Sequence, residues 1–258
     1  MYAAGRWRTG GALPPRHALG PLGWLVWRTF RRFAGRREYE RLVDLGGGEG
    51  YFATLFGRAR YKAVVDAVAP ALAVAKGRGL AVVQGDVRRV PLAAGACDLV
   101  FLSDVLEHVP PAKVGVVLQE AARVMKEGGV LLVNTSCYGL YLRRWLRRAP
   151  GGGRLDQDDV KDGHRSRLTR LELEAAIKAS GLKINKRLYY KHLFQPLTAL
   201  TARALSGRGG DGAATAKEKT LAGGPGRALN AVRIFVAGWD ALFFGRVPGG
   251  AVIYKLEK

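Results

Sequence analysis

The run Asp44-Leu45-Gly46-Gly47-Gly48-Glu49-Gly50 decides the fold. Before it, Arg41-Leu42-Val43-Asp44-Leu45 reads as a short apolar strand. After it, Tyr51 to Phe56 reads as a helix. Glycines at 46, 48 and 50 let the backbone come close to a ligand and accept positive φ. The helix that follows presents its first N–H groups to a carboxylate or phosphate. The loop alone does not name that ligand, because Gly48 to Ala53 also fits the dinucleotide form G-x-G-x-x-A.

Further along the chain the same alternation repeats. Strands are expected at 63–65, 81–83, 99–102 and 130–133, with helices at 70–76 and 111–126, the latter closed by Gly128-Gly129. Short apolar strands alternating with helices predict a parallel, doubly wound α/β sheet. Upstream, Trp24 to Ala34 reads as an amphipathic helix, with Val26, Phe30 and Phe33 on one face and Arg28, Arg31 and Arg32 on the other. Downstream, Thr169-Arg170-Leu171-Glu172 has capping-box spacing and opens a helix to Ser180. A strand at 183–190, helices at 194–205 and 228–244, and a final strand at 250–256 complete the reading. Residues 206–226, rich in Gly and Ala, read as a flexible insertion.

Acidic residues recur at the strand ends. Asp66 closes the second strand, where a carboxylate can accept from both ribose hydroxyls of a nucleoside. Gly85-Asp86-Val87 follows the third, where a carboxylate can accept from an exocyclic adenine amine. Ser103-Asp104-Val105-Leu106-Glu107-His108-Val109 leaves the fourth. Leu118 to Val133 reads L-Q-E-A-A-R-V-M-K-E-G-G-V-L-L-V. With these pieces in place, the chain resembles the class I S-adenosylmethionine-dependent methyltransferases, and among them the type 11 group. Asp44–Gly50 matches that family's (D/E)-x-G-x-G-x-G motif, and Ser103–Val109 its S-D-V-L-E-H-V segment. Residues 118–133 are similar to its L-x-E-x-x-R-V-L-K-P-G-G-x-L segment, with Met125 for leucine and Glu127 for proline. The resemblance covers about residues 40–136. It departs at Asp66, which lies one residue earlier than the acid of the family's D-x-S-P pattern.

The resemblance implies S-adenosylmethionine as cofactor and a Rossmann-like methyltransferase sheet, mostly parallel with an antiparallel last strand, to which the residue pattern adds an N-terminal helix and a C-terminal helical insertion. It implies cofactor binding by Asp44, Gly46, Gly48, Gly50, Asp66, Asp86, Val87 and Ser103. Asp44 takes the ammonium of the methionine end, Asp66 the ribose and Asp86 the adenine amine. Ser103 and Asp104 flank the edge where substrate meets the methyl. His108 is the candidate general base, because histidine titrates near neutrality. The other histidines, at 17, 164 and 192, are scattered in sequence and show no metal-ligand spacing with the cysteines, so no metal is expected. The aspartates at 156, 158, 159 and 162 read as a solvated loop, with binding of a cation or an aminated substrate as the alternative.

With 258 residues, 48% of them hydrophobic, the chain is long enough for a full core and excludes a disordered or collagen-like protein. Two cysteines, Cys97 and Cys137, make no disulfide framework, and no stretch is long and apolar enough to span a bilayer. A cytoplasmic enzyme is the expectation. The net charge of +21 is uneven: +7 over residues 1–41, +1 over 42–136 and +13 over 137–258. The expected organisation follows it, with a basic extension and helix at 1–41 and a methyltransferase domain at 42–258. That domain divides into a cofactor half, 42–136, and a substrate-side half, 137–258. The basic flanks suit a polyanion or an anionic lipid surface. Leu142, Trp145 and Leu146 among four arginines, like the aromatic face of residues 24–34, suit a membrane interface. Two acceptor classes follow. One is a small or lipid-like molecule with peripheral contact to an anionic membrane, and the alternative is RNA. No appended RNA-binding module is readable.

Overall fold

The computed structural model describes residues 21–138, 155, 159–160, 162–190, 239, 242, 245–246 and 249–258. The segment of Leu142, Trp145, Leu146 and their four arginines, the helix expected at 194–205, the insertion 206–226, most of the helix at 228–244, and Asp156 and Asp158 lie outside the described residues.

The strand of the glycine motif is β1, Tyr39–Leu45, and it stands at the centre of the sheet. It pairs in parallel with β2, Ala59–Asp66, and β4, Cys97–Ser103. Outside these lie β3, Ala81–Gln84, and β5, Met125–Tyr138. The two-residue β6, Leu168–Thr169, pairs with the end of β5. β7, Lys183–Tyr190, forms the far edge, and β8, Ala251–Glu257, inserts antiparallel between β5 and β7. The order is β3-β2-β1-β4-β5-β8-β7. A mostly parallel sheet with an antiparallel last strand is what the sequence predicted.

Helices cover both faces, as parallel strands require. On one face pack α4, Val114–Val124, and α5, Arg170–Ala179, through Val117, Leu118, Ala121, Leu173 and Ile177. On the other pack α1, Pro21–Ala34, α2, Tyr51–Leu55, and α3, Ala69–Gly77. The aromatic face of α1 is turned inward. Phe30 is 1% exposed and its ring lies 5.0 Å from Phe101, and Trp27 is 8% exposed. Burying a phenylalanine this fully contributes roughly 1.5–3 kcal/mol. This corrects the membrane reading of residues 24–34, because the face expected to meet lipid meets the sheet.

The local signals acted as expected at α5. Thr169 and Glu172 form a reciprocal capping box, and Gly181 follows the helix at φ 76°. The element before β5 differs from expectation. Pro111–Lys113 forms a 3₁₀ turn, α4 stops at Val124, and β5 already begins at Met125. Cys97 pairs with Met125 and Leu99 with Val130, so Lys126 to Gly129 bulge out of the ladder, with Gly128 at φ 68°. The Gly-Gly pair is thus a bulge at the start of the strand.

Candidate active site

Parallel strands bring their carboxyl ends to one edge, and open α/β sheets bind ligands there. Asp44 sits on that edge of β1, paired with Val64 of β2 and Phe101 of β4. It is 1% exposed, and neither carboxylate oxygen has a hydrogen-bond partner among the described residues. Burial pushes its pKa up to about 7. The Ala53 N–H pulls the other way without reaching hydrogen-bond geometry, and the charge of Asp66 adds to the rise. A buried carboxylate without a donor is costly. This one is suited to a cationic donor such as an ammonium.

The loop above it is held from below. The Gly46 N–H donates to the Val65 carbonyl at 2.7 Å, and the Gly48 N–H donates to Asp66 Oδ2 at 2.8 Å. Contact requires glycine at 46, 47 and 50. Gly50 has φ 70°, and a Cβ there would lie 2.2 Å from Leu80 Cδ1. A Cβ on Gly47 would lie 2.5 Å from Asp44 Cγ. The motif reading omitted Gly47, yet it is the residue that leaves the space beside the carboxylate; its only signal was the uninterrupted Gly-Gly-Gly.

The other acids are engaged with their own chain. Asp66 accepts from Gly48 N–H at one oxygen and from Val68 N–H at the other, both at 2.8 Å. Its shifted position therefore ties the end of β2 to the glycine loop. A carboxylate has about four acceptor positions, so two remain for hydroxyls. Asp86 is held by Arg88, whose Nε donates to both oxygens at 2.9 Å and whose backbone N–H donates at 2.8 Å. That hydrogen-bonded guanidinium keeps its pKa below the usual carboxylate range. The pair is about half exposed, 43% for Asp86 and 50% for Arg88, with Val87 half-buried beside it.

At the exit of β4, Asp104 has φ 55°, the one non-glycine residue with positive φ among those described. Such a conformation persists only where its surroundings hold it. Here the Asn134 amide donates to Ser103 Oγ and to Asp104 Oδ1, both at 3.1 Å, and the Asp104 N–H donates to the Asn134 carbonyl at 2.9 Å. The Tyr190 hydroxyl donates to Asn134 Oδ1 at 2.6 Å, and burial raises its pKa well above the ordinary tyrosine value. Asn134 and Tyr190 were missed by sequence reasoning. They come from β5 and β7, which meet only through the inserted β8, so no local spacing marks them.

His108 lies beyond Asp104 in a 3₁₀ turn, Leu106–His108. Its Nδ1 is 3.2 Å from the Gly163 carbonyl. A carbonyl only accepts, so Nδ1 carries the proton and the neutral ring's lone pair is on Nε2. The structure also gathers residues that are scattered in the sequence. The His164 ring packs edge-on against His108 at 5.0 Å between centroids. His164 Nδ1 is 2.9 Å from Asp159 Oδ1, and Arg167 Nη2 donates to the same oxygen at 2.6 Å. Asp159 is 4% exposed, so this member of the expected solvated loop is a buried ion-pair partner. Glu107 is buried too, accepting from the Thr135 hydroxyl at 2.9 Å and the Ser136 N–H at 3.2 Å. Among the described residues no group of three or more His, Cys, Asp or Glu side chains could hold a metal ion.

The fold is that of the class I S-adenosylmethionine-dependent methyltransferases. Residues 24–186 match the family described as methyltransferase domain, and the chain belongs to it. Its cofactor, by family, is S-adenosylmethionine. A curated relative, the ubiquinone/menaquinone biosynthesis C-methyltransferase of Rubrivivax gelatinosus, is 36% identical over 109 residues, 41% of this chain and 43% of the relative. The matched stretch thus spans under half the length of the curated relatives. Among solved structures, geranyl diphosphate C-methyltransferase from Streptomyces coelicolor A3(2), in complex with geranyl diphosphate, Mg²⁺ and S-adenosyl-L-homocysteine, superposes with a TM-score of 0.60. It is 14% identical, over 90% of this chain and 77% of that one. The [4+2]-cyclase SpnF superposes with a TM-score of 0.55 at 20% identity, over 90% and 80%. A cyclase among the neighbours means that the shared architecture alone does not fix the chemistry. No helix among the described residues is long and apolar enough to cross a membrane.

Proposed function

We propose that this methyltransferase acts on a small or lipid-like acceptor presented at the carboxyl edge of β4 and β5. The observation that carries the cofactor end is Asp44, a buried carboxylate with no donor beneath a loop whose glycines leave space above it. An ammonium there supplies the missing donor and restores the ionised form. The Gly46, Gly48 and Gly50 loop admits the rest of the methionine end. Asp66 offers its two remaining acceptor positions to ribose hydroxyls. Asp86 exchanges Arg88 for an adenine amine, with the Val87 backbone alongside and Ser103 at the cofactor's inner edge. When bound, the cofactor supplies an electrophilic sulfonium methyl, so the protein's task is alignment and exclusion of water. Asp104, held in its strained conformation by Asn134, faces the acceptor. His108 takes a proton on Nε2 where the acceptor atom carries one.

The acceptor class is supported by what the relatives' names say of them: one is a ubiquinone/menaquinone biosynthesis C-methyltransferase and the other a geranyl diphosphate C-methyltransferase. The test is methyl transfer from labelled S-adenosylmethionine to separate pools of membrane lipid extract, small metabolites and RNA. Label in the lipid or metabolite pool supports the reading. Label in RNA alone overturns it in favour of the RNA methyltransferase that the +21 charge also suits.

A further inference from the structure

Five arginines converge on the opposite, amino edge of the sheet. Arg28, Arg31 and Arg32 lie exposed on α1, Arg36 follows the helix, and Arg58 precedes β2. With Trp27 they line an open cavity of about 350 Å³. Arg58 has a structural task. Its guanidinium donates to the Arg31 carbonyl at 2.9 Å and to the Gly35 carbonyl, covering the negative end of the helix. Two others are held in place by aromatic faces, Arg28 over Trp24 at 5.0 Å and Arg31 over Trp27 at 4.8 Å. Stacking fixes a guanidinium plane without consuming its N–H groups.

No carboxylate among the described residues forms an ion pair with Arg28, Arg31, Arg32 or Arg36. The sequence of α1, PLGWLVWRTFRRFA, holds no acid. Arg28 stands one helical turn from both Arg31 and Arg32, where like charges repel. A concave group of guanidinia, oriented, uncompensated and with donors to spare, matches the oxygens of a phosphoryl group. It does not match nucleic-acid bases. Trp27 is buried and Trp24 is covered by Arg28, so no open aromatic face is offered for stacking.

We propose that this cavity is a phosphoryl-binding site, separate from the methyl-transfer edge, that takes a lipid phosphate headgroup or a soluble polyphosphate. β2 separates the two places: eight residues at ~3.3 Å each carry the chain from Arg58 to Asp66. The proposal therefore does not depend on the acceptor reading.

The test uses the full chain at physiological salt, titrated calorimetrically with tripolyphosphate and co-sedimented with phosphatidylcholine vesicles with and without phosphatidylglycerol. The Arg28→Gln/Arg32→Gln/Arg36→Gln variant should lose about tenfold or more in affinity, the loss expected for removing charge-assisted hydrogen bonds. A control that removes three charges from the exposed face near β7, Lys178→Gln/Lys183→Gln/Lys186→Gln, should stay within about twofold. Arg36→Gln alone, outside the helix, should give part of the loss with an unchanged melting temperature. Affinity for S-adenosylhomocysteine should be unchanged in all three variants. Binding in the vesicle arm alone assigns a headgroup, and binding in the tripolyphosphate arm assigns a soluble ligand. Equal losses in the two triple variants would mean diffuse charge and overturn the site. So would no binding in either arm, or RNA binding through these arginines more tightly than tripolyphosphate.

Discussion

The two edges of this sheet carry opposite charge in opposite ways. On the carboxyl edge the charges are acids set into the structure: Asp44 and Glu107 buried, Asp66 tied to the glycine loop, Asp104 held by Asn134. On the amino edge they are arginines on the surface. Arg37, for example, lies over the Tyr39 ring at 4.4 Å, and Arg60 pairs with Glu40 where both side chains are largely exposed. An acid with a structural task there, Asp98, accepts the N–H groups of Glu40 and Arg41 at 2.8 Å and ties β1 to β4. A buried charge alters stability and chemistry strongly, and an exposed one alters mainly what the surface attracts. The carboxyl edge should therefore respond to substitution in kilocalories and the amino edge in tenths.

Asp44 is expected to give the largest response. Its folded pKa of about 7 exceeds the ordinary aspartate value. Between pH ~4 and ~7 the unfolded chain releases a proton that the folded chain keeps, so stability falls as pH rises through that window. The loss is complete above pH 7 and reaches up to ~4 kcal/mol. Asp44→Asn should flatten the curve and raise the ligand-free melting temperature at pH 8. It should also weaken S-adenosylhomocysteine binding by ~2 kcal/mol, about thirtyfold, because the amide cannot meet an ammonium as a charge. An unchanged pH profile in the variant would place the titrating group elsewhere.

Gly50→Val should follow. It puts a β-branched residue at φ 70° and drives its Cβ into Leu80, costing ~3 kcal/mol or more in stability from strain and overpacking together. Denaturant unfolding measures it; a loss under ~1 kcal/mol would show that the loop can move aside. Tyr190→Phe comes next. It strips the donor from the buried Asn134 Oδ1 and should cost ~1–2 kcal/mol. The backbone of Asp104 should loosen with it, visible as faster amide hydrogen exchange at 103–105. Unchanged exchange there would separate the tyrosine from the strained turn.

How far these residues were legible in the sequence depends on how local their partners are. The positive φ of Gly50 and the capping box at Thr169 are set within a few positions, and their spacing carries them. Asn134 meets Asp104 across a strand pairing and Tyr190 across an inserted antiparallel strand, so their meeting is a property of the topology. The same holds for His164, held by Asp159, which reaches His108 only because the chain returns to the end of β5. On α1, the 3.6-residue pattern announced an apolar face, but an apolar face fits a core and a membrane equally. Phe101 and the sheet beneath it decided between the two. The one-residue offset of Asp66 was readable, but its cause, the Val68 and Gly48 N–H groups, was not.

The smallest effect should come from the amino edge, and its smallness is the sharpest test of the contrast. Arg28→Gln removes repulsion with Arg31 and Arg32, worth roughly 0.2–0.5 kcal/mol for each pair. It also removes the stacking on Trp24, worth roughly 0.5–1 kcal/mol at an exposed site. The two nearly cancel, so stability should move by no more than about 0.5 kcal/mol in either direction. The sign should depend on salt. Near ~10 mM ionic strength the repulsion acts in full and the variant should gain, whereas near ~1 M screening leaves only the lost stacking and it should fall slightly behind the parent. Paired thermal melts at the two ionic strengths read this directly. A salt-independent loss of ~2 kcal/mol would mean that Arg28 is set into the structure as firmly as the carboxylates of the opposite edge, and the contrast between the edges would be lost.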